Sequence, residues 1–389
     1  MNSHHLPQEL PVCSDLTTLF LQARPLIDLR APIEFAAGAF PNAINLPLMS
    51  DEERAAVGTC YTQRGQEAAI ALGHQLVGGA LREARIEGWL AQIRQQPDLL
   101  LYCFRGGLRS QTVQLWLAER GVVVPRIAGG YKAMRQFLMQ TLESVVARSP
   151  LWLISGMTGS GKTDLLLEVP AAVDLEQHAR HRGSSFGALP GGQPSNINFE
   201  NGLAIELLQR QAAGQSHFIL EDESRMIGRC TLPNSLFSLM ELAPLVQLDA
   251  PLGERINRIC RDYVEGMYQR FAAVAARGQS EPNGQSAQSA EQALQQFLSQ
   301  GLERLTRRLG LLNYQKLNAQ LELALQQQFN QQDYSGHHLW IERLLVDYYD
   351  PIYLRHLRAR EAKIVFRGDH QACREYLNAL SFQHLGLTL

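Results

Sequence analysis

Leu151-Trp152-Leu153-Ile154-Ser155-Gly156-Met157-Thr158-Gly159-Ser160-Gly161-Lys162-Thr163 decides the fold of the second half of the chain. Leu151–Ile154 reads as a buried strand, and Gly156–Thr163 matches G-x-x-x-x-G-K-[ST] in full. A helical stretch starts at 163, so the motif stands between a strand and a helix, where phosphate binding requires it. Gly156, Gly159, Ser160 and Gly161 offer backbone N–H groups to a di- or triphosphate. Lys162 reaches the terminal phosphate, and the Thr163 hydroxyl can join a magnesium shell. Further apolar runs at 172–175, 218–220 and 245–248 alternate with helical stretches, which predicts an α/β unit on a parallel sheet.

A second loop of the same kind lies upstream. Tyr102-Cys103-Phe104-Arg105-Gly106-Gly107-Leu108-Arg109-Ser110 follows a strand expected at 98–102 and opens a helix expected over 110–120. Backbone N–H groups converge on the thiol, and the helix dipole favours an anion there. Gly106 and Gly107 let the loop curl, while Arg105 and Arg109 add positive charge that favours thiolate over thiol. Cys103 is therefore the candidate nucleophile. The other cysteines (Cys13, Cys60, Cys230, Cys260, Cys373) lack these surroundings. They are too scattered for a disulfide framework and show no paired C-x-x-C zinc spacing. Strands at 25–29 and 122–124, with helices over 66–96 and 131–147, complete this first α/β unit.

At ~100–200 residues per domain, 389 residues make two or three domains. The composition divides them as 1–149, 150–277, a polar Gly/Ser/Gln-rich loop at 278–290 expected to be flexible, and a mostly helical 291–389. Proline at 150 disfavours helix in the residue before it and sets the first boundary. Leu302, Leu305, Leu309 and Leu312 fall at helix spacing and read as core. Thirty-six Lys+Arg against 38 Asp+Glu, net −2, exclude a wholly basic nucleic-acid coat. A basic stretch at 353–374 still offers a local face, with Arg355, Arg358 and Arg360 beside Tyr353, His356 and Phe366. It reads either as a solvated helix surface or as contacts to RNA phosphates and bases. No run of ~18 apolar residues spans a membrane. The first residues lack a secretory signal, so reducing cytoplasm is the expected setting.

Three further stretches carry polar groups. Phe218–Glu223 ends in carboxylates, among them Asp222, a candidate magnesium holder beside Thr163. Arg182, Ser184 and Ser185 sit in His181-Arg182-Gly183-Ser184-Ser185-Phe186-Gly187. Arg255, Arg258 and Arg261 recur every third residue along one side of a helix, where they can clamp phosphates or simply face solvent.

The cysteine loop resembles that of the rhodanese family. Asp28-Leu29-Arg30, Glu34-Phe35, Gly38–Asn45 and Gly129-Gly130-Tyr131 are similar to other segments of that family. Its Cys-x5-Arg spacing is one residue longer than in many rhodaneses. It is shared with certain tyrosine- and dual-specificity phosphatases, and a wider cradle suits a larger chalcogen. With GMTGSGKT and HRGSSFG following in order, the chain over about 1–370 resembles the bacterial tRNA 2-selenouridine synthases. That resemblance implies a rhodanese-like domain followed by a P-loop domain, acting on 2-thiouridine at the tRNA wobble position. It further implies S-geranylation by geranyl diphosphate, then selenium transfer from selenophosphate by way of Cys103, with a selenophosphate-supplying enzyme as partner. The residues themselves stop at a nucleophilic thiolate, a bound di- or triphosphate and an RNA face. On those terms an ATP-dependent tRNA sulfurtransferase, a Cys-x5-Arg phosphatase fused to a P-loop regulator and a non-catalytic regulatory protein stay open.

Overall fold

The computed structural model describes residues 9–276 and 288–383. They form two compact α/β units. The first takes the described residues up to Ala147 together with Pro194–Gly214; the second takes Arg148–Gln193 and the described residues from Gln215 onward. The segment 194–214, expected in the P-loop domain by contiguity, thus packs with the first unit. Its helix Asn196–Ala212 buries Phe199, Leu203 and Leu207. Asn201 Nδ2 donates to Ala39 O at 2.8 Å, and Arg135 pairs with Glu200. Specific polar contacts of this kind override position in the chain.

The first unit holds β1 (Val12–Cys13), β2 (Leu26–Asp28), β3 (Ala43–Asn45), β4 (Leu100–Tyr102) and β5 (Arg126–Ile127). They pair in parallel, in the order β1-β5-β4-β2-β3. β2 and β4 are buried throughout, as strands covered on both faces must be. The strand expected at 122–124 is absent. Val122 N–H instead donates to Leu117 O, closing the helix Leu108–Ala118, and pairing shifts to β5 beyond Pro125. The helix expected over 66–96 begins just after a kink at Gly65, φ +82°, inside the stretch Asp51–Leu76, and is broken before Gly79–Gln95, where Gly79 takes φ +59°.

In the second unit β6 (Leu151–Gly156), β7 (Phe218–Glu221), β10 (Leu245–Leu248) and β11 (Ile364–Gly368) make a parallel sheet ordered β11-β10-β6-β7. β8 (Met226–Ile227) and β9 (Cys230–Thr231) form a small antiparallel pair. Residues 172–175 contribute a single bridge, Ala172 to Ile219. Asp174 there caps the helix Leu175–Ala179 instead of extending a strand. The C-terminal region is not a purely helical appendage, because β11 completes the P-loop sheet. The helix His370–Gln383 then packs Cys373 and Leu377 onto that sheet beside Ile154 and Val246. The rest of the region builds a helical core around Leu294, Leu298, Leu302, Leu321 and Trp340.

Leu302 and Leu305 are buried, but Leu312 is 73 % exposed because Gly310, at φ +79°, breaks the helical register before it. Most of the loop expected at 278–290 lies outside the described residues. Its last two residues cap and begin a helix, with Ser289 Oγ accepting from Gln292 N–H at the head of Ala290–Glu303. No helix among the described residues is long and apolar enough to cross a membrane.

Candidate functional site

Each unit carries one chemically equipped loop at the carboxyl ends of its strands. In the first unit Cys103 leaves β4 and is 3 % exposed. Its Sγ lies 3.4 Å from Ser110 Oγ, which itself donates to Gly107 O at 3.0 Å. Ser110 ends the quoted motif, yet nothing in the sequence marks it as the sulfur's neighbour. The loop is clamped from beneath by the Gly129-Gly130 turn. Tyr131 N–H donates to Cys103 O at 2.9 Å, and Lys132 N–H donates to Phe104 O at 3.0 Å. Gly106 and Gly130 both have positive φ, at +62° and +58°. A Cβ on Gly130 would stand 2.2 Å from Cys103 O, so the approach admits only glycine.

The two loop arginines have different surroundings. Arg105 is exposed and makes no ion pair among the described residues. Arg109 pairs with Glu34 at 2.7 Å, and Glu34 also holds Arg54 at 3.1 Å. Burial pushes the Glu34 carboxyl up, but hydrogen bonding and charge from Arg109 outweigh it, so it titrates below its ordinary value. The Asp28-Leu29-Arg30 segment is a support beneath this loop. Arg30 and Asp28 form a buried ion pair at 2.6 Å, and Tyr102 donates to Asp28 at 2.6 Å. The Arg30 guanidinium lies 3.8 Å from the Tyr131 ring centre. Burial, then the Asp28 charge, drives the Tyr102 hydroxyl well above its ordinary value, so it stays a donor.

In the second unit the P-loop borders a cavity of about 710 Å3. Gly159 and Gly161 take φ of +79° and +92°, which turns the loop before the helix Lys162–Leu167. Lys162 Nζ donates to Gly156 O at 2.9 Å, and the buried Ser160 hydroxyl has no hydrogen-bond partner among the described residues. Arg258 edges the cavity, donating to Gly159 O at 2.8 Å and to Asp164 at 3.0 Å. Arg255, 3 % exposed, stands behind the loop. It donates to Thr158 O at 2.9 Å and pairs with Asp350, which makes it a buttress and not a phosphate ligand. Arg182 and Ser184 line the cavity, with Arg182 paired to Asp262 at 3.5 Å. Ser185 is absent from the lining, and its carbonyl accepts from Arg304.

Asp222 does not sit as a magnesium ligand. It pairs with Arg360 and accepts from Ser155 Oγ at 3.0 Å. The oxygen cluster is instead Glu176, Glu221 and Glu223, whose carboxylates each place an atom within 4.8 Å of the others. Glu221 is 2 % exposed, and its Oε1 lacks a hydrogen-bond partner among the described residues. Burial first, then the neighbouring glutamate charges, pushes Glu176 up to about 10 and Glu223 up to about 7. Burial also raises Glu221, opposed by the charge of Lys162. An all-oxygen set with Thr163 hydrogen-bonded to Glu221 fits a hard divalent cation. Glu221 and Glu223 belong to the carboxylate run read at the end of Phe218–Glu223, whereas Glu176, distant in sequence, is the member that no local motif announces.

The basic stretch is divided by β11. Arg360 is turned inward to Asp222, Arg367 donates to Gln247 at 2.9 Å, and Arg374 donates to Glu168 at 3.0 Å. Arg355 and Arg358 remain exposed on the helix Asp350–Arg360 and free of ion pairs among the described residues.

A family model described as the tRNA 2-selenouridine synthase AAA domain matches residues 149–383. A tRNA 2-selenouridine synthase of Aeromonas salmonicida (strain A449) is 56 % identical over 368 residues, covering 95 % of this chain and 96 % of its own. Proteins of the same name from Ectopseudomonas mendocina (strain ymp) and Shewanella oneidensis are 50 % and 49 % identical. They cover 95 % and 93 % of this chain, and 96 % and 94 % of their own. Likeness at this level runs through the cysteine loop and the P-loop alike, and the chain belongs to the tRNA 2-selenouridine synthase family.

Proposed function

We propose that the chain converts 2-thiouridine at the tRNA wobble position to 2-selenouridine in two steps, one on each unit. In the P-loop unit the thiocarbonyl sulfur attacks the first carbon of geranyl diphosphate. A C–S bond forms, the C–O bond breaks and diphosphate departs. In the cysteine unit, read as rhodanese-like, the Cys103 thiolate attacks the phosphorus of selenophosphate: an S–P bond forms, the P–Se bond breaks, and the hydroselenide set free in the loop adds to C2 of the alkylated base. A C–Se bond replaces C–S, the sulfur leaves as geranylthiol, and one water completes the release of phosphate. The first step serves the second: a thiocarbonyl sulfur leaves poorly, whereas an alkylated one departs as a neutral thiol.

The P-loop cavity carries this reading. Its N–H cradle and Lys162 suit a diphosphate, while Phe237, Met240, Ile352 and Tyr353 give the same cavity an apolar wall. A diphosphate on an unbranched polar group has no use for that wall; one on an isoprenoid chain does. A bound magnesium ion would neutralise charge on the departing diphosphate, and Thr163 with Glu176, Glu221 and Glu223 would hold it. Substrate tRNA and a selenophosphate-supplying enzyme are the expected partners, in cytoplasm.

The test is an ordered reconstitution. Purified protein is given tRNA containing 2-thiouridine, then geranyl diphosphate, then selenophosphate, with nucleosides followed by mass spectrometry. S-geranyl-2-thiouridine should appear first and 2-selenouridine only after it. Formation of 2-selenouridine at full rate without geranyl diphosphate would refute the sequence.

A further inference from the structure

The helical stretch Asp51–Leu76, kinked at Gly65, runs for 26 residues, yet only Ala69 and Gly73 of it are buried. A helix on a globular domain ordinarily seats a continuous apolar stripe in the core. Here the inner face looks onto an open cleft of about 1240 Å3 within the first unit. Val57 and Ile70 of the helix wall it on one side, with Met49 before them. Phe104 and Leu108 of the cysteine loop wall it on the other, left 37 % and 52 % exposed, and Tyr61 is 57 % exposed on the helix. Large apolar side chains left open around one hollow mark a place for a ligand. A selenophosphate anion needs neither that volume nor those walls.

The cleft has two chemically distinct parts. Its cysteine end carries Arg105, exposed and unpaired among the described residues, and Arg54, 47 % exposed and shared with Glu34. The remainder is mostly apolar, with Thr62, Gln66 and His74 also in its lining, and continuous with the loop that holds Cys103. Cations at one end and a hydrocarbon trough at the other complement a molecule with phosphates beside its reacting atom and an apolar chain beyond it. An S-alkylated nucleotide in RNA has that form.

We infer that this cleft seats the ten-carbon prenyl chain of S-geranyl-2-thiouridine while selenium is released at the Cys103 loop; the inference rests on the two-step function above. Burying the chain favours the alkylated tRNA over the unalkylated one at this unit. It also orients the sulfur to leave away from the incoming selenium. The length of the trough makes it a selector for long alkyl groups.

The experiment uses the full-length protein and synthetic anticodon stem-loops bearing S-geranyl- or S-methyl-2-thiouridine. Affinity is read by fluorescence anisotropy, and conversion with selenophosphate by mass spectrometry. The wild type should bind and convert the geranyl substrate roughly tenfold better than the methyl one, since each buried methylene adds to the preference. Ile70→Asn and Val57→Asn, each checked for folding by circular dichroism, should bring that ratio close to one, while Ile70→Leu should keep it. A wild type without preference, or a preference untouched in both asparagine variants, overturns the inference. Failure of either stem-loop to yield 2-selenouridine would strike the two-step function instead. The affinity ratio and its loss in the variants would still decide the cleft.

Discussion

Arg360 donates to Asp222 in an ion pair that ties the last turn of the helix Asp350–Arg360 to the segment just after β7. The side chains are 13 % and 7 % exposed, and Asp222 also accepts from Ser155 in β6. This contact pins the wall of the P-loop cavity that Tyr353 and His356 supply. Removing one partner leaves the other charge poorly solvated, which costs more than the pair itself contributes.

Asp222→Ala is therefore expected to lower stability by about 3 kcal/mol in urea unfolding. Asp222→Ala with Arg360→Met should recover part of that loss, because no charge is then left unpaired. If the double variant is no more stable than the single one, the pair is not what holds this wall.

The glutamate trio makes stability depend on pH. Carboxyls raised in the folded state, Glu223 to about 7 and Glu176 to about 10, bind protons there that the unfolded chain has already lost. Stability from this source is complete below the ordinary carboxyl range, near 4.5. It falls as pH rises through 7 and on toward 10. Glu223→Gln should then raise the melting temperature at pH 8 and change it little at pH 5. A gain of equal size at both values would mean that Glu223 is not protonated in the fold.

Arg355 and Arg358 are two cations of the basic stretch left exposed on one helix without ion pairs among the described residues. Reversing both to glutamate should weaken tRNA binding. It should also flatten the dependence of log K on log salt by about one unit for each phosphate that is no longer neutralised. An unchanged slope would make this helix face merely solvated. Arg360 belongs outside that comparison, since its charge is already committed to Asp222.

The two reactive loops are legible in the sequence because their signals are local. A strand, two or three glycines and a helix start within a dozen residues bring N–H groups together, and only a few side chains can exploit that arrangement. Features that depend on distant partners are not legible in this way. β11 lies in an arginine-rich stretch that reads as helix, and only its ladder with β10 makes it a strand. The helix Asn196–Ala212 leaves its neighbours in sequence because Asn201 and Glu200 find Ala39 and Arg135. Asp222 and Glu221 are adjacent on one strand end and so face opposite ways. Sequence favours Asp222 as the metal holder, but it faces Arg360, whereas its neighbour faces Lys162 and Thr163.

Separate loops on separate units predict separable half-reactions. Lys162 lies in the cradle that would hold the departing diphosphate, in the second unit, whereas Cys103 lies in the first. Lys162→Ala should thus stop S-alkylation while leaving selenium exchange intact. Cys103→Ser should do the reverse, so that S-geranyl-2-thiouridine accumulates without conversion. The decisive arm offers pre-alkylated tRNA and selenophosphate to the Lys162→Ala protein and follows nucleosides by mass spectrometry. Conversion at close to the wild-type rate is expected, because alkylation is the only step that the lysine serves. If that protein binds the alkylated tRNA yet makes no 2-selenouridine, the division of labour fails. The P-loop would then act in the selenium step as well, with Lys162 contributing to it directly.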